Sequence, residues 1–189
     1  MSKEKLNSAN ADILHNIAKE YLYKIKRLSN KEKITDKLPI NFKWIGFIKL
    51  MFPNATIIHC ERNSKDTCLS IYKNYFTNSD LNYAYNMNNL VFFYNLYLNL
   101  MNFWKDCFPK SIKSTKYEKL IDNPKFEIKK IISYCNLDWN KKCLEFYNNS
   151  RPINTASDIQ ARSKIYKSSI NSWKKYDKFI AKHFLNLKN

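Results

Sequence analysis

The sequence predicts an α/β protein built on a parallel sheet, and three observations carry that reading. Ala55 to Cys60 is a short apolar run rich in β-branched residues after a Pro53-Asn54 turn signal, the pattern of a strand buried on both faces. The run ends in Glu61-Arg62 and passes at once into helical spacing. Asn63 or Ser64 can cap that helix, Asp66 suits its first turn, and Leu69, Tyr72 and Phe76 recur along one face. A second strand candidate, Ser111 to Tyr117, also stops at a polar pair, Tyr117-Glu118. Arg62 therefore stands at the carboxyl end of a parallel strand, the end at which open α/β sheets bind ligands.

The remaining elements follow in order. Ala11 to Leu28 carries Leu14, Ile17, Tyr21, Ile25 and Leu28 on one stripe with lysines elsewhere, an amphipathic helix within residues 1–30. Ile34 to Pro39 reads as a short strand running into a turn, because Pro39 forces its predecessor out of the helical region. Asn41 can cap a helix through Phe42, Ile45, Ile48, Leu50 and Phe52. Thr77 to Asn89, rich in Asn and Tyr, reads as a long surface loop that could line a substrate cleft. Leu90 to Phe108 is a long helix, Asn123-Pro124 opens another through Ile128, Ile131 and Ile132, and Lys141 to Tyr147 a short one. Arg151 to Tyr166 is polar without a period, and Ser169 to Leu187 closes the chain as an aromatic-bearing helix. No repeat or linker divides residues 31–189, so the expectation is a single domain over all 189 residues.

Composition narrows the function. A hydrophobic share of 44% with 15% aromatics excludes a fully disordered chain. The single glycine, Gly46, rules out both G-x-x-x-x-G-K-S/T and G-x-G-x-x-G. A formal charge of +17 favours polyanionic partners such as nucleic acid, anionic lipid or a phosphorylated cofactor. Yet 29 of the 33 cationic residues are lysines scattered among asparagines, a compositional bias that outlines no clear nucleic-acid site. Lysine cannot reproduce the guanidinium fork on a phosphate, so Arg62, Arg151 and Arg162 outrank any single lysine as site candidates.

The five cysteines, an odd number without C-x-x-C spacing, point to a reducing, cytoplasmic setting with neither a disulfide framework nor a zinc site. The three histidines are isolated, and His59, inside the first strand, reads as a satisfied core residue. Met1 to Leu6 has no apolar segment of a signal peptide, and Asn95, Asn99, Asn102, Lys105 and Asp106 interrupt the long helix too often for a membrane span.

Several segments in register resemble the sulfotransferase family, in its protein-tyrosine and tetratricopeptide-linked branch. They are Thr35-Asp-Lys37-Leu-Pro39-Ile-Asn41-Phe42 leading through Ile45-Gly46 to Phe52-Pro-Asn-Ala55, then Arg62 and Ser70, then Tyr117-Glu-Lys-Leu120. The series ends with Thr155-Ala-Ser157-Asp-Ile-Gln160-Ala-Arg162 and with Tyr166 to Lys174. The resemblance implies a three-layer, P-loop-NTPase-like sulfotransferase fold. It also implies 3'-phosphoadenosine 5'-phosphosulfate (PAPS) as co-substrate, without a metal, and a hydroxyl acceptor, a tyrosine-containing peptide among the candidates. Arg62 and Ser70 would clasp the 3'-phosphate, with Asn74 as a further contact where arginine is common, and Tyr117 would meet the adenosine. Ser157, Gln160, Arg162, Trp173 and Lys174 would form the closing cofactor loop. Lys167 to Lys174 is similar to K-G-x-x-G-x-W-K, with Ser168 and Asn171 replacing the glycines.

Lys37 and Ser157 would stabilise charge as the sulfuryl group moves; outside this register they are a solvated lysine before a turn and a loop serine. The family's P-R-S-G-T loop for the phosphosulfate, and the glutamate base that follows it, do not occur in the sequence. The expectation is a truncated domain lacking one central strand, with poor transfer on its own and a separately encoded N-terminal sulfotransferase segment as partner. The competing reading is a non-catalytic basic module, either a nucleotide-binding relic or a nucleic-acid-binding protein.

Overall fold

The computed structural model describes residues 3–77, 79–149 and 162–188, which fall into two compact units. The first comprises the described residues within 1–55 and 100–107, and the second those within 56–99 and 108–189.

Helix α1, Lys3–Leu28, dominates the first unit, with Lys26 and Arg27 in its last turn where cations suit the helix dipole. Its inward face is Leu14, Ala18, Tyr21 and Ile25, while Ile17 and Leu28 of the expected stripe are exposed. The Tyr21 ring meets Phe52, and its hydroxyl donates to Asp36 Oδ2 at 2.6 Å. That bond to a carboxylate pushes the Tyr21 hydroxyl pKa up to about 12. Residues 34–38 form no strand, since no neighbouring backbone pairs with them among the described residues. Instead of one helix from Asn41, a 3-10 turn, Pro39–Trp44, precedes α2, Ile45–Met51, with Pro39 at its start.

Gly46 is the one position in this unit where absence of a side chain is required. A Cβ there would lie 2.7 Å from the Trp104 ring, whose N–H is committed to Phe42 O at 2.9 Å. Gly46→Ala should therefore destabilise: overpacking costs about 1–3 kcal/mol, more than the ~1 kcal/mol that alanine returns as helix propensity. The urea midpoint should fall; an unchanged midpoint would mean that Trp104 swings aside.

The second unit holds the sheet. β1, Ile57–Glu61, and β2, Ile112–Lys116, pair in parallel from Ile57↔Ile112 to Glu61↔Lys116. A parallel pair needs a long crossover, supplied here by α3, Ser64–Tyr72, and α4, Met87–Cys107. Neither strand is buried throughout, and Cys60 is exposed; among the described residues the sheet has two strands, which leaves an edge open on each side. Side chains alternate along a strand, so His59 and Lys113 stand on opposite faces. Tyr97 of α4 covers the first, and Tyr134 of α6, Pro124–Tyr134, covers the second. The described part of the expected loop 77–89 contains a 3-10 segment, Ser79–Tyr85, and the first turn of α4.

The core joins α3 and α4 to the C-terminal segment. Cys68, Leu69, Met87, Leu90, Val91 and Tyr94 pack with Ile180 and Phe184. Burial pushes the Cys68 thiol pKa up to about 12, in keeping with its part as a small apolar side chain. The expected closing helix is broken into 3-10 Ser172–Tyr176, a single α-turn Asp177–Ile180 and 3-10 Ala181–Phe184. Contacts to the core outweigh local helical preference there.

Candidate functional site

The site grows out of the strand register. Glu61 and Lys116 are the last paired residues, so Arg62 and Tyr117 leave adjacent strands side by side at the carboxyl rim of the sheet. The Arg62 guanidinium carbon lies 5.1 Å from the centre of the Tyr117 ring, a cation–π contact. Its Nη2 donates to Ser169 O at 2.7 Å. The Tyr117 hydroxyl shares a hydrogen bond with Ser169 Oγ at 2.8 Å. Three stretches far apart in sequence thus meet at one serine.

The turn after β1 is held from two sides. The Asn63 side chain caps α3 by accepting from Asp66 N at 3.1 Å, and Asn63 N donates to Glu118 Oε1 at 2.8 Å. Glu118 lies in the first turn of α5, Tyr117–Asp122, so the two strand ends are tied through backbone as well as ring. Asp66, only 1% exposed, takes the 171–173 turn: Asn171 N at 2.7 Å on Oδ2, and Ser172 Oγ at 2.9 Å and Trp173 N at 3.0 Å on Oδ1. Asn171 has φ 58°, a left-handed conformation that asparagine tolerates in place of the glycine of the resembling motif. Lys65 Nζ sits 4.0 Å above the Trp173 ring.

Two N–H groups at this junction are buried with no acceptor in reach among the described residues, Arg62 Nε and Trp173 Nε1. A buried donor left unpaired costs about 1–3 kcal/mol, so each of these two positions is open to a hydrogen-bond acceptor. Behind it, Tyr94 donates to Arg62 O at 3.5 Å, and burial raises its hydroxyl pKa. His59 bonds Tyr97 through Nε2 and meets Glu61 at 3.2 Å through Nδ1, which makes it a satisfied residue within a polar cluster. Burial pushes the Tyr97 hydroxyl pKa up to about 12. A cleft of about 230 Å³ opens beside the strand ends, lined by Glu61, Thr115, Lys116, Lys119 and Lys130 among others.

Of the residues singled out in sequence, Arg62, Tyr117 and Trp173 are brought to this junction. Ser70 is half-buried in the last turn of α3, and its carbonyl accepts from Asn74 Nδ2 at 2.6 Å. Lys174 is exposed beside Trp173. Arg162 is exposed and donates to Asn149 O at 3.0 Å. Lys37 is exposed on the irregular segment of the first unit. Ser157, Gln160 and Arg151 lie outside the described residues. Sequence reasoning passed over Ser169, which acts partly through its carbonyl, and the tertiary partners of Asp66, which read only as a first-turn acid. Among the described residues no group of His, Cys, Asp or Glu could hold a metal ion, and no helix is long and apolar enough to cross a membrane.

A sequence model of the Sulfotransferase family matches residues 1–141. The chain is also 34% identical over 171 residues, 89% of its length, to an uncharacterized protein of Aquifex aeolicus (strain VF5). It spans 22% of that relative's length. With three quarters of its residues matched, and a parallel strand pair carrying Arg62 and Tyr117 at one rim, the chain belongs to the Sulfotransferase family.

Proposed function

We propose that the chain grips the nucleotide end of PAPS and serves transfer of its sulfuryl group to a hydroxyl. The observation that carries this reading is the meeting of Arg62, Tyr117 and Ser169 at the carboxyl rim of the sheet. Arg62 Nε, buried without an acceptor among the described residues, fits an anionic group at that rim, and Trp173 Nε1, buried in the same way, is a second open donor near it. In this reading Arg62 supplies a charged fork to the 3'-phosphate and Ser70 a hydroxyl from α3. Tyr117 would offer its ring to the adenine side, and Asn74, Trp173, Lys174 and Arg162, together with Gln160 outside the described residues, would take the remaining cofactor contacts. PAPS, when bound, supplies the activated sulfuryl group. Lys37 and Ser157 remain the candidates for stabilising the negative charge that develops on transfer, a task for which fixed donors are the main catalytic device.

The three-layer sheet follows from the same reading, and helices covering both faces of the strand pair support it. For the acceptor we propose an acidic, tyrosine-containing peptide: four lysines, Lys113, Lys116, Lys119 and Lys130, line the cleft beside the strand ends against two glutamates, Glu61 and Glu127.

The test is ligand-induced stabilisation. At a hundredfold excess over Kd, a ligand of the folded state contributes about 2.7 kcal/mol. Adenosine 3',5'-bisphosphate should raise Tm by several degrees, and 5'-AMP, which lacks the 3'-phosphate, much less. Equal responses to the two, or none, would overturn the reading. Salt-sensitive binding to any duplex in their place would favour the nucleic-acid alternative.

A further inference from the structure

We propose that Asp66 is the positioning residue of the 3'-phosphate grip, an inference that rests on the nucleotide reading above. Through its carboxylate Asp66 accepts from neither Arg62 nor Tyr117, the two residues that leave the strand ends. It reaches the grip through the chain: its carboxylate takes Asn171 N, Ser172 Oγ and Trp173 N, and Ser169, two residues before Asn171, carries the carbonyl on Arg62 and the hydroxyl on Tyr117. A carboxylate 1% exposed on a helix of nine residues is an expensive way to hold a surface turn. Its desolvation is offset by three short hydrogen bonds, all from one turn of the C-terminal segment.

Two further observations point the arrangement at a ligand. Of the donors left without an acceptor among the described residues, Arg62 Nε belongs to the residue that bonds Ser169 O just before the pinned turn, and Trp173 Nε1 to the last residue of the turn. Asn171 is also held left-handed at φ 58°, which fixes the direction in which Ser169 is presented. The carboxylate thus sets the distance between the 167–173 loop and Arg62, and with it the width of the gap that accepts a phosphate.

Asp66→Asn tests this with nearly unchanged shape. The two oxygens have separate duties: Oδ2 accepts from Asn171 N alone, and Oδ1 from Ser172 Oγ and Trp173 N. If the amide keeps its oxygen in the Oδ1 position, its NH2 faces the Asn171 N–H, two donors oppose each other, and the turn lifts at Asn171. The readout is the ratio of affinities for adenosine 3',5'-bisphosphate and 5'-AMP, measured calorimetrically on the full chain. In Asp66→Asn that ratio should fall by about tenfold, with 5'-AMP affinity unchanged. Ser172→Ala, which removes one donor without opposing two, should lower the ratio about twofold to threefold.

A purely structural role would lower Tm and leave the ratio at its wild-type value, and that result overturns the proposal. If Asp66→Asn does not fold, Ser172→Ala decides alone: a reduced ratio supports the positioning role and a wild-type ratio ends it. Wild-type protein that does not distinguish the two nucleotides would instead remove the nucleotide reading itself.

Discussion

Replacing Arg62 with alanine should weaken binding of adenosine 3',5'-bisphosphate by about 30-fold or more, since truncating one partner of a buried charge pair costs about 2–5 kcal/mol. The size of the effect follows from position. The guanidinium is the only arginine head group that the described residues bring to the sheet's carboxyl rim, where it lies against Tyr117 and bonds Ser169 O. Arg62→Lys should recover only part of the affinity, because an ammonium keeps the charge but loses the planar fork. Binding of 5'-AMP should change little in either variant, so the ratio of the two nucleotides separates loss of the phosphate contact from general damage. Isothermal titration of both variants against both ligands checks this. A ratio unchanged in Arg62→Ala would show that the 3'-phosphate is held elsewhere.

Leu90→Ala should be the most destabilising single change in the second unit, at about 2–5 kcal/mol. Leu90 is fully buried, with Cys68 and Leu69 from α3, Val91 and Tyr94 from α4 and Ile180 and Phe184 from the C-terminal segment in the same cluster. Removing its branched end leaves a cavity that two helices and a set of short turns cannot all close upon. Because the same cluster ties the C-terminal segment to α3, nucleotide binding should weaken along with stability. Urea denaturation followed by tyrosine and tryptophan fluorescence measures the first effect. A loss under ~1 kcal/mol would mean that the neighbouring side chains collapse into the space.

The strand that leads into Arg62 was legible because three local signals agree: a β-branched run, a charge at its end, and Asn63 placed to cap the next helix. Asn123-Pro124 was legible for the same reason, with the Asn123 side chain accepting from Phe126 N at 3.4 Å. The 34–38 segment misled because a strand requires a partner, and pairing is decided by residues far away. The closing helix misled because Trp173, Ile180 and Phe184 are apolar at nearly helical spacing, while the core that receives them sets the path of the backbone. In the site, side-chain chemistry was readable and main-chain chemistry was not. Arg62 and Tyr117 declare themselves by type and place, whereas the carbonyl of Ser169 looks like any other carbonyl until the fold delivers it. Asp66 shows the same limit in a side chain: its place in the first turn was plain, and its three acceptances from residues more than a hundred positions away were not.

The pairing of β1 and β2 also determines how the sheet can grow. Among the described residues each strand has one flank of N–H and C=O groups directed away from its partner, so the ladder can be extended on either side. A guest strand docking parallel and in step with Ile57↔Ile112 would finish level with Glu61 and Lys116. Whatever turn followed it would then emerge alongside Arg62 and Tyr117. Orientation alone would deliver newly arrived chemistry to the existing rim, and an antiparallel guest would carry it to the opposite end.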